Sequence, residues 1–252
     1  MSNTKHFIIA CLLMAQAALA DTTFTYQIGT DTYLDSANSA KNYGLSGSDK
    51  VVINSTSVCR TLFDLPTALW SYSPGSIESA SVSFYVFQDN TQAYNVSLLP
   101  LTRAFTVGTG NGTAPANGAT WTTYDGINSW TTAGGDFDSA NSVVGLKGSL
   151  GPNPADPSGR FFTFDITSLL NNPTSEAELQ NYGAMLSIDF GQTPPATGQS
   201  YASFTSADTT HYTAPYLPSL EVTAVPEPSS AILVIAGLAA LTCFRKQRDA
   251  RC

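Results

Sequence analysis

Stretches in which every second residue is apolar constrain the fold of this 252-residue chain most strongly. Ala80–Val86 and Ala184–Phe190 both alternate in this way. Shorter sets with the same spacing are Phe162, Phe164 and Ile166, and Leu220 and Val222. Because successive side chains of a strand point to opposite faces, this spacing predicts strands with one buried face. Such strands form antiparallel sheets, and two one-sided sheets must cover each other, so we expect an all-β, antiparallel β-sandwich.

The rest of the central region agrees with an all-β fold. Further strands are predicted at residues 23–27, 50–54, 60–64 and 94–99, separated by Gly-, Asn-, Pro- and Ser-rich turns at 108–118 and 147–159. Charged residues make up 12% of the chain, against about a quarter in typical domains, while 11% are aromatic, enough to build a core. Helical turns are predicted only at Thr167–Leu170 and Ser175–Leu179, the second with Ser175 as its cap.

The central region is strongly acidic. Between residues 21 and 225 there are six Lys or Arg residues and seventeen Asp or Glu residues. A surface with this balance repels polyanions, so neither nucleic acid nor anionic lipid is an expected partner. An acidic polysaccharide would need a bridging cation or a local basic patch.

The N-terminus has the features of a secretory signal peptide at residues 1–20. Lys5 and His6 precede an apolar run, and Ala18 and Ala20 stand three and one positions before Asp21. Small residues at these two positions are what signal peptidase accepts, so we expect cleavage after Ala20. Lipid attachment at Cys11 is the alternative reading.

The C-terminal segment, residues 225–252, has the features of a short membrane tail. Ala231–Phe244 is an apolar run of 14 residues, which is ~21 Å as a helix against ~30 Å for the hydrocarbon core. Arg245 and Lys246 follow at once and place this end in the cytoplasm, which leaves the central region outside. The run can span the membrane only if its flanking residues adjust.

This tail resembles the PEP-CTERM sorting tail of Gram-negative bacteria in three features. Pro226, Glu227 and Pro228 are followed by the short apolar helix and then by the basic cluster. The resemblance implies that an exosortase recognises and cuts the tail, and that the protein reaches the cell surface or the extracellular matrix. A plain short anchor that happens to follow Pro-Glu-Pro is the alternative.

Residues 21–224 resemble the DNRLRE domain family, whose members adopt a jelly-roll-like sandwich similar to carbohydrate-binding modules. The matching segments occur in order along the whole region: Asp31–Tyr33, Asn42–Gly44, Arg60–Leu65, Gly118–Trp121, Trp130, Gly134–Asp138, Phe164–Thr167, Asn181–Gly183, Phe204–Ser206 and Ala214–Val222. The chain departs from the family pattern in a less basic strand around Arg60 and in Ala214, where the family has Arg. The resemblance implies a jelly-roll-like β-sandwich with a role in carbohydrate binding.

The central region contains few residues of the kinds that catalysis needs. His211 is its single histidine and Cys59 its single cysteine, so no internal disulfide, zinc site or Cys–His dyad is expected there. Cys59 is interpreted as a buried apolar residue. Paired carboxylates for glycoside hydrolysis arise by chance among seventeen acids. We therefore expect a protein that is not an enzyme.

A calcium ion is the one cofactor that the sequence favours. Asp136 and Asp138 flank a single residue after Gly134–Gly135, and Asp31 with Asp35 forms a looser acidic pair. Calcium prefers several carboxylate or carbonyl oxygens on a flexible turn. The alternative is that these acids cap turns and face water.

Sugar binding requires flat aromatic rings on the surface. Trp70 and Tyr72 lie in a Ser- and Pro-rich loop, and Tyr212 lies in a second loop, so these three are the predicted glycan-binding residues.

The leading hypothesis is a non-catalytic surface or matrix protein that contacts exopolysaccharide or cell-wall glycan. The alternatives are a purely structural matrix or adhesion scaffold and, third, a polysaccharide-degrading enzyme. Coplanar rings on one face would favour glycan binding, and scattered or buried rings the scaffold.

Overall fold

The computed structural model describes residues 21–73, 75–89, 94–114, 117–147, 161–190, 195 and 198–225. The predicted signal peptide at 1–20 lies outside these residues. So do residues 226–252 of the predicted sorting tail, including Pro226, Glu227, Pro228, Arg245 and Lys246. Within the described ranges, no helix combines the length and the apolar character that a membrane span requires.

Strands dominate the described part of the chain. The strands are β1 Thr22–Gln27, β2 Asp31–Asp35, β3 Ser48–Asn54, β4 Val58–Phe63, β5 Ile77–Asp89, β6 Val96–Pro100, β7 Val143–Lys147, β8 Phe161–Asp165, β9 Ala184–Ser187, β10 Gln199–Thr205 and β11 Ser219–Ala224. The α-helices are α1 Thr167–Leu170 and α2 Pro173–Tyr182. Short 3-10 helices occupy Ser36–Asn38 and Thr67–Ser71.

These strands form one antiparallel sheet that is curled into a half-barrel. Its order is β1-β11-β5-β10-β3-β4-β9-β6-β7-β8, with β2 paired to β4. The last strand in this order, β8, also pairs with the long central strand β5, so the sheet curls back on itself. The prediction of an all-β antiparallel fold is confirmed.

The inner face of the curled sheet holds the main core. The alternation predicted for β5 is observed, because Ala80, Val82, Phe84 and Val86 are all buried there. Five phenylalanines are among the largest fully buried side chains of this core: Phe63, Phe84, Phe162, Phe164 and Phe204. Several of these rings meet edge to face at centroid separations of 5.1–6.4 Å, an arrangement that stabilises beyond the area buried.

A second core lies on the opposite face of β2, β4, β6 and β9. It contains Leu34, Leu62, Leu99, Leu101, Ala119, Trp130 and Met185. The long connection between β6 and β7 supplies Ala119 and Trp130 and covers this face. Every residue of β2, β6 and β9 is therefore buried. The expectation of sheets with one solvent-facing side is wrong for these strands, because a segment without regular secondary structure replaces the solvent.

Asn42 fastens this covering segment to the sheet. Its Nδ2 donates to the carbonyl oxygens of Val107 and Ala119 at 2.6 and 2.9 Å, and its Oδ1 accepts from the Gly110 amide at 2.7 Å. Asn42 is fully buried, so its side-chain amide replaces the backbone pairing that a loop lacks. Gly44 is needed beside it, because a Cβ at that position would lie 2.3 Å from the Val107 oxygen.

Both predicted helical turns are present, and the second is longer than predicted. Helix α2 begins with Asn172 as its cap, whose side chain accepts from the Thr174 amide at 3.0 Å. The prediction that Ser175 caps this helix is wrong, because Pro173 can occupy the first helical position and moves the start upstream. Ser175 is instead buried inside the first turn.

Candidate functional site

Trp70 and Tyr72 lie together at one end of the sheet, where the 3-10 helix Thr67–Ser71 leads into β5. Trp70 is half-buried and packs against the main core. Tyr72 is also half-buried, and its hydroxyl forms a 2.8 Å hydrogen bond with that of Tyr26 on β1. The sheet edge and the core thus fix both rings while leaving part of each ring in contact with solvent.

These two rings line an open groove of about 380 Å³. The opposite wall is formed by the α1–α2 region through Asn171, Glu176 and Gln180. These three residues lie about a hundred positions further along the chain and reach the groove because α1 packs on β5 and α2 on α1. Aromatic faces on one side and polar side chains on the other are the usual composition of a small-molecule site.

Four polar side chains of this groove have no partner within the described part of the chain. No hydrogen bond is formed there by the Trp70 Nε1, the side-chain amides of Asn171 and Gln180, or the Glu176 carboxylate. Asn171 and Gln180 are exposed and Glu176 is half-buried. The groove therefore presents both donors and acceptors to whatever occupies it.

Tyr212 does not join this groove. Its ring stacks on Phe87 at a centroid distance of 6.0 Å and lies 5.6 Å from Tyr85 and 6.3 Å from Tyr216. Phe87 is ten residues along β5 from Ile77, which lines the groove, so the two places are roughly 30 Å apart along the strand. The three predicted glycan-binding residues divide into one pair and one separate ring.

The predicted calcium ligands Asp136 and Asp138 already accept hydrogen bonds. Asp136 accepts from the amides of Thr131 and Thr132 at 3.0 and 2.9 Å and pairs with Arg103 at 2.8 Å. Asp138 accepts from the Ala140 amide at 2.8 Å. Partial burial raises the pKa of the Asp136 carboxyl, but these N–H donors and the guanidinium outweigh burial and hold the pKa below its usual value.

Asp31 lies elsewhere, against Ser206 and Ala207. Its carboxylate accepts from the Ser206 hydroxyl at 2.8 Å and from the Ala207 amide at 2.7 Å. Asp35 caps the turn after β2 by accepting from the Ala37 amide at 3.0 Å.

Among the residues that the structure describes, no group of three or more His, Cys, Asp or Glu side chains is placed to hold a metal ion. Calcium binding at Asp31, Asp136 and Asp138 stays a prediction.

Arg60 forms a buried ion pair that could not be predicted from the sequence. It makes two hydrogen bonds to Asp189, at 2.6 and 3.1 Å, and donates to the Gly134 carbonyl at 2.8 Å. Its guanidinium lies 5.1 Å from the Trp121 ring and 5.4 Å from the Phe137 ring. Arg60 therefore binds the second core together and is not presented to a ligand.

Asp49 is a buried acid that sequence patterning also missed. It is 1% exposed, and neither of its carboxyl oxygens has a hydrogen-bond donor among the described residues. Burial first and the neighbouring Asp31 second raise the pKa of Asp49 well above its usual value. Asp31 is itself raised to a pKa of about 6, mainly by burial. Position 49 alternates with Val51 and Ile53 on the core face of β3, which is the one signal that it would be buried.

A scan against protein-family models finds no match to this chain, and a search of curated proteins finds none either.

Proposed function

We propose that this protein is an exported, non-catalytic module that contacts exopolysaccharide or cell-wall glycan at the surface or in the matrix of a Gram-negative bacterium. The domain is a jelly-roll-like sandwich of the DNRLRE type, and the tail is a substrate of an exosortase. The curled antiparallel sheet supports this architecture. The groove between Trp70, Tyr72 and the α1–α2 region is the observation that carries the binding function.

Sugar recognition by this groove has a simple physical basis. The apolar face of a sugar ring packs on an aromatic ring, and its hydroxyls need donors and acceptors at the rim. Trp70 and Tyr72 provide the rings, while Asn171, Glu176 and Gln180 provide the polar rim. Because β1 and the core hold both rings in place, little side-chain entropy is lost on binding.

Truncation of the groove should weaken glycan binding. We expect Trp70→Ala to raise the Kd of the purified full chain for its glycan at least tenfold, ~1.4 kcal/mol, since a Trp at a contact centre carries much of the binding energy. The exposed positions Asn171 and Gln180, each changed to Ala, should weaken binding severalfold without affecting the fold. Binding is measured on a glycan array and by affinity electrophoresis, with and without EDTA.

The matched control is Tyr212→Ala, which removes a predicted aromatic residue outside the groove. Thermal denaturation of each variant separates a lost contact from a lost fold. Equal weakening by the Tyr212 and Trp70 changes would place the site at Tyr212 and contradict the groove assignment. If EDTA alone abolishes binding, calcium takes part in it.

A scaffold without a glycan site is the second candidate. Two observations favour it: both groove rings are half-buried, and the Tyr72 hydroxyl is already bonded to Tyr26. A chain that is displayed normally but binds no glycan, including the polymer of its own producer, would establish this function instead.

The sorting function makes a prediction of its own. Mass spectrometry of the protein from its native host should find a mature C-terminus between Val225 and Ser230. Replacing Pro226 and Pro228 with Ala should leave the tail in place, because the recognised motif is lost. An intact Cys252 in the wild-type protein would contradict removal of the tail and indicate a simple anchor.

A further inference from the structure

We infer that the groove of Trp70 and Tyr72 selects neutral glycans and excludes acidic ones. This inference rests on the proposed function, because it names the class of glycan that the groove takes. It depends on the charges of the groove and its surroundings.

Among the residues that the structure describes, the lining of the groove contains no Lys, Arg or His. The one charged side chain of this described lining is that of Glu176, whose carboxylate forms no hydrogen bond or ion pair with another described residue. A sugar hydroxyl can donate to this carboxylate, whereas a uronate, sulfate or phosphate group would meet a like charge in a partly dry site. The rim favours hydroxyl groups over anions.

The charge of the region as a whole is also negative. Glu78 follows Ile77 on the other face of β5, and the neighbouring Asp21 raises the pKa of Glu78. Residues 21–225 contain six basic and seventeen acidic residues. A negative potential slows the approach of an anionic polymer and leaves that of a neutral polymer unchanged.

None of the cationic side chains of the described residues lines the groove, and three of the four already contact another group. Four Lys or Arg side chains belong to the described residues: Lys41, Lys50, Arg60 and Arg103. Arg60 is paired with Asp189 and Arg103 with Asp136. The Lys50 ammonium lies 4.6 Å from the Tyr33 ring centroid. An arginine already paired with a carboxylate offers little net charge to a second anion.

The test compares neutral and acidic polymers on the same full chain. Affinity electrophoresis uses a soluble β-glucan, an α-glucan and a mannan as neutral probes, and alginate and polygalacturonate as acidic probes. We expect at least one neutral polymer to bind tenfold or more tightly than either acidic one. Neutral binding should change less than twofold between 0.05 and 0.5 M NaCl, since no ion pair is screened.

Two variants connect the selection to the groove. Trp70→Ala should weaken neutral binding at least tenfold. Glu176→Gln keeps a hydrogen-bond acceptor and removes the charge, so the ratio of neutral-polymer affinity to alginate affinity should fall at least threefold. Salt-sensitive binding that favours an acidic polymer and is lost in Trp70→Ala would overturn the neutral selection and leave the proposed glycan function standing. If no polymer binds, the proposed function fails and the selection fails with it.

Discussion

Replacing Arg60 with Met should lower the free energy of unfolding by about 3 kcal/mol, the loss typical of a buried ion pair that loses one partner. The side chains of Arg60 and Asp189 are 13% and 16% exposed, and their closest approach is 2.6 Å. Burial raises the pKa of Asp189, but the hydrogen bonds and charge of Arg60 outweigh burial and keep that pKa below its usual value. Without the guanidinium, the Asp189 carboxylate stays buried with the Ser187 hydroxyl as its remaining side-chain donor in the described part of the chain.

The same substitution also opens the second core. Arg60 donates to the carbonyl of Gly134, a residue with φ of +93° whose backbone passes close to the Trp121 ring. A Cβ at Gly134 would lie 2.7 Å from Trp121 and 2.8 Å from the Arg60 guanidinium. The glycine, the arginine and the indole therefore form one packed unit, and removal of its centre loosens the segment that covers β4.

Equilibrium urea denaturation of the full chain measures this effect. Arg60→Lys keeps the charge but loses the two-pronged geometry and the stacking, so we expect a smaller loss, about 1–2 kcal/mol. In the double variant Arg60→Met with Asp189→Asn, the unpaired charge is removed and part of the stability should return. A loss below 1 kcal/mol for Arg60→Met would show that the pair contributes little, as is usual for surface pairs.

The strands of the main core were predictable from the sequence because the signal is local. Ala80–Val86 alternates cleanly, and its apolar face is the buried face of β5. The strand β9 shows the limit of this reasoning. Its core-facing Ala184 and Leu186 follow the pattern, but Met185 is buried as well, on the other face. Burial of that second face depends on a distant covering segment, which no alternation within β9 encodes.

Only part of the candidate site was predictable from the sequence, because only some of its residues are close together in the chain. Trp70 and Tyr72 are close in the chain, so their common loop could be recognised as a platform. Gln180 joins them through tertiary packing of α2, and Tyr212 is held by Phe87 and Tyr85. From the sequence, Arg60 was notable because its strand is less basic than the corresponding strand of the DNRLRE family. Its partner Asp189 lies 129 residues away and became visible only in the fold.

Replacing Asp49 with Asn should raise stability at neutral pH, which is opposite to the usual effect of changing a buried residue. Because burial and the adjacent Asp31 raise the pKa of Asp49 well above its usual value, the folded protein keeps a proton on this group to a higher pH than the unfolded chain does. An Asn side chain has nearly the same shape as a protonated Asp and is uncharged at every pH. We therefore expect the variant to be more stable than wild type at pH 8, with a difference that grows as the pH rises from 4.

The sign of the pH dependence in the wild-type protein follows from the same groups. Asp31 has a folded pKa of about 6 against 3.8 unfolded, so the folded state binds more protons between these values. Stability is therefore greatest near pH 4 and falls as pH rises through 6, by about 3 kcal/mol for Asp31 alone. Below pH 4 the trend reverses, since Asp136 and Asp189, whose pKa values are lowered in the folded state, become protonated.

Urea denaturation from pH 4 to pH 8 tests both statements. The Asp49→Asn variant should show a flatter profile than wild type, because one of the carboxyls whose pKa is raised by folding is gone. Glu221→Gln, the same carboxyl-to-amide change at an exposed position of β11, should leave the profile unchanged. A variant that is less stable than wild type at pH 8 would contradict the view that Asp49 is a buried carboxyl whose ionised form is disfavoured in the folded protein.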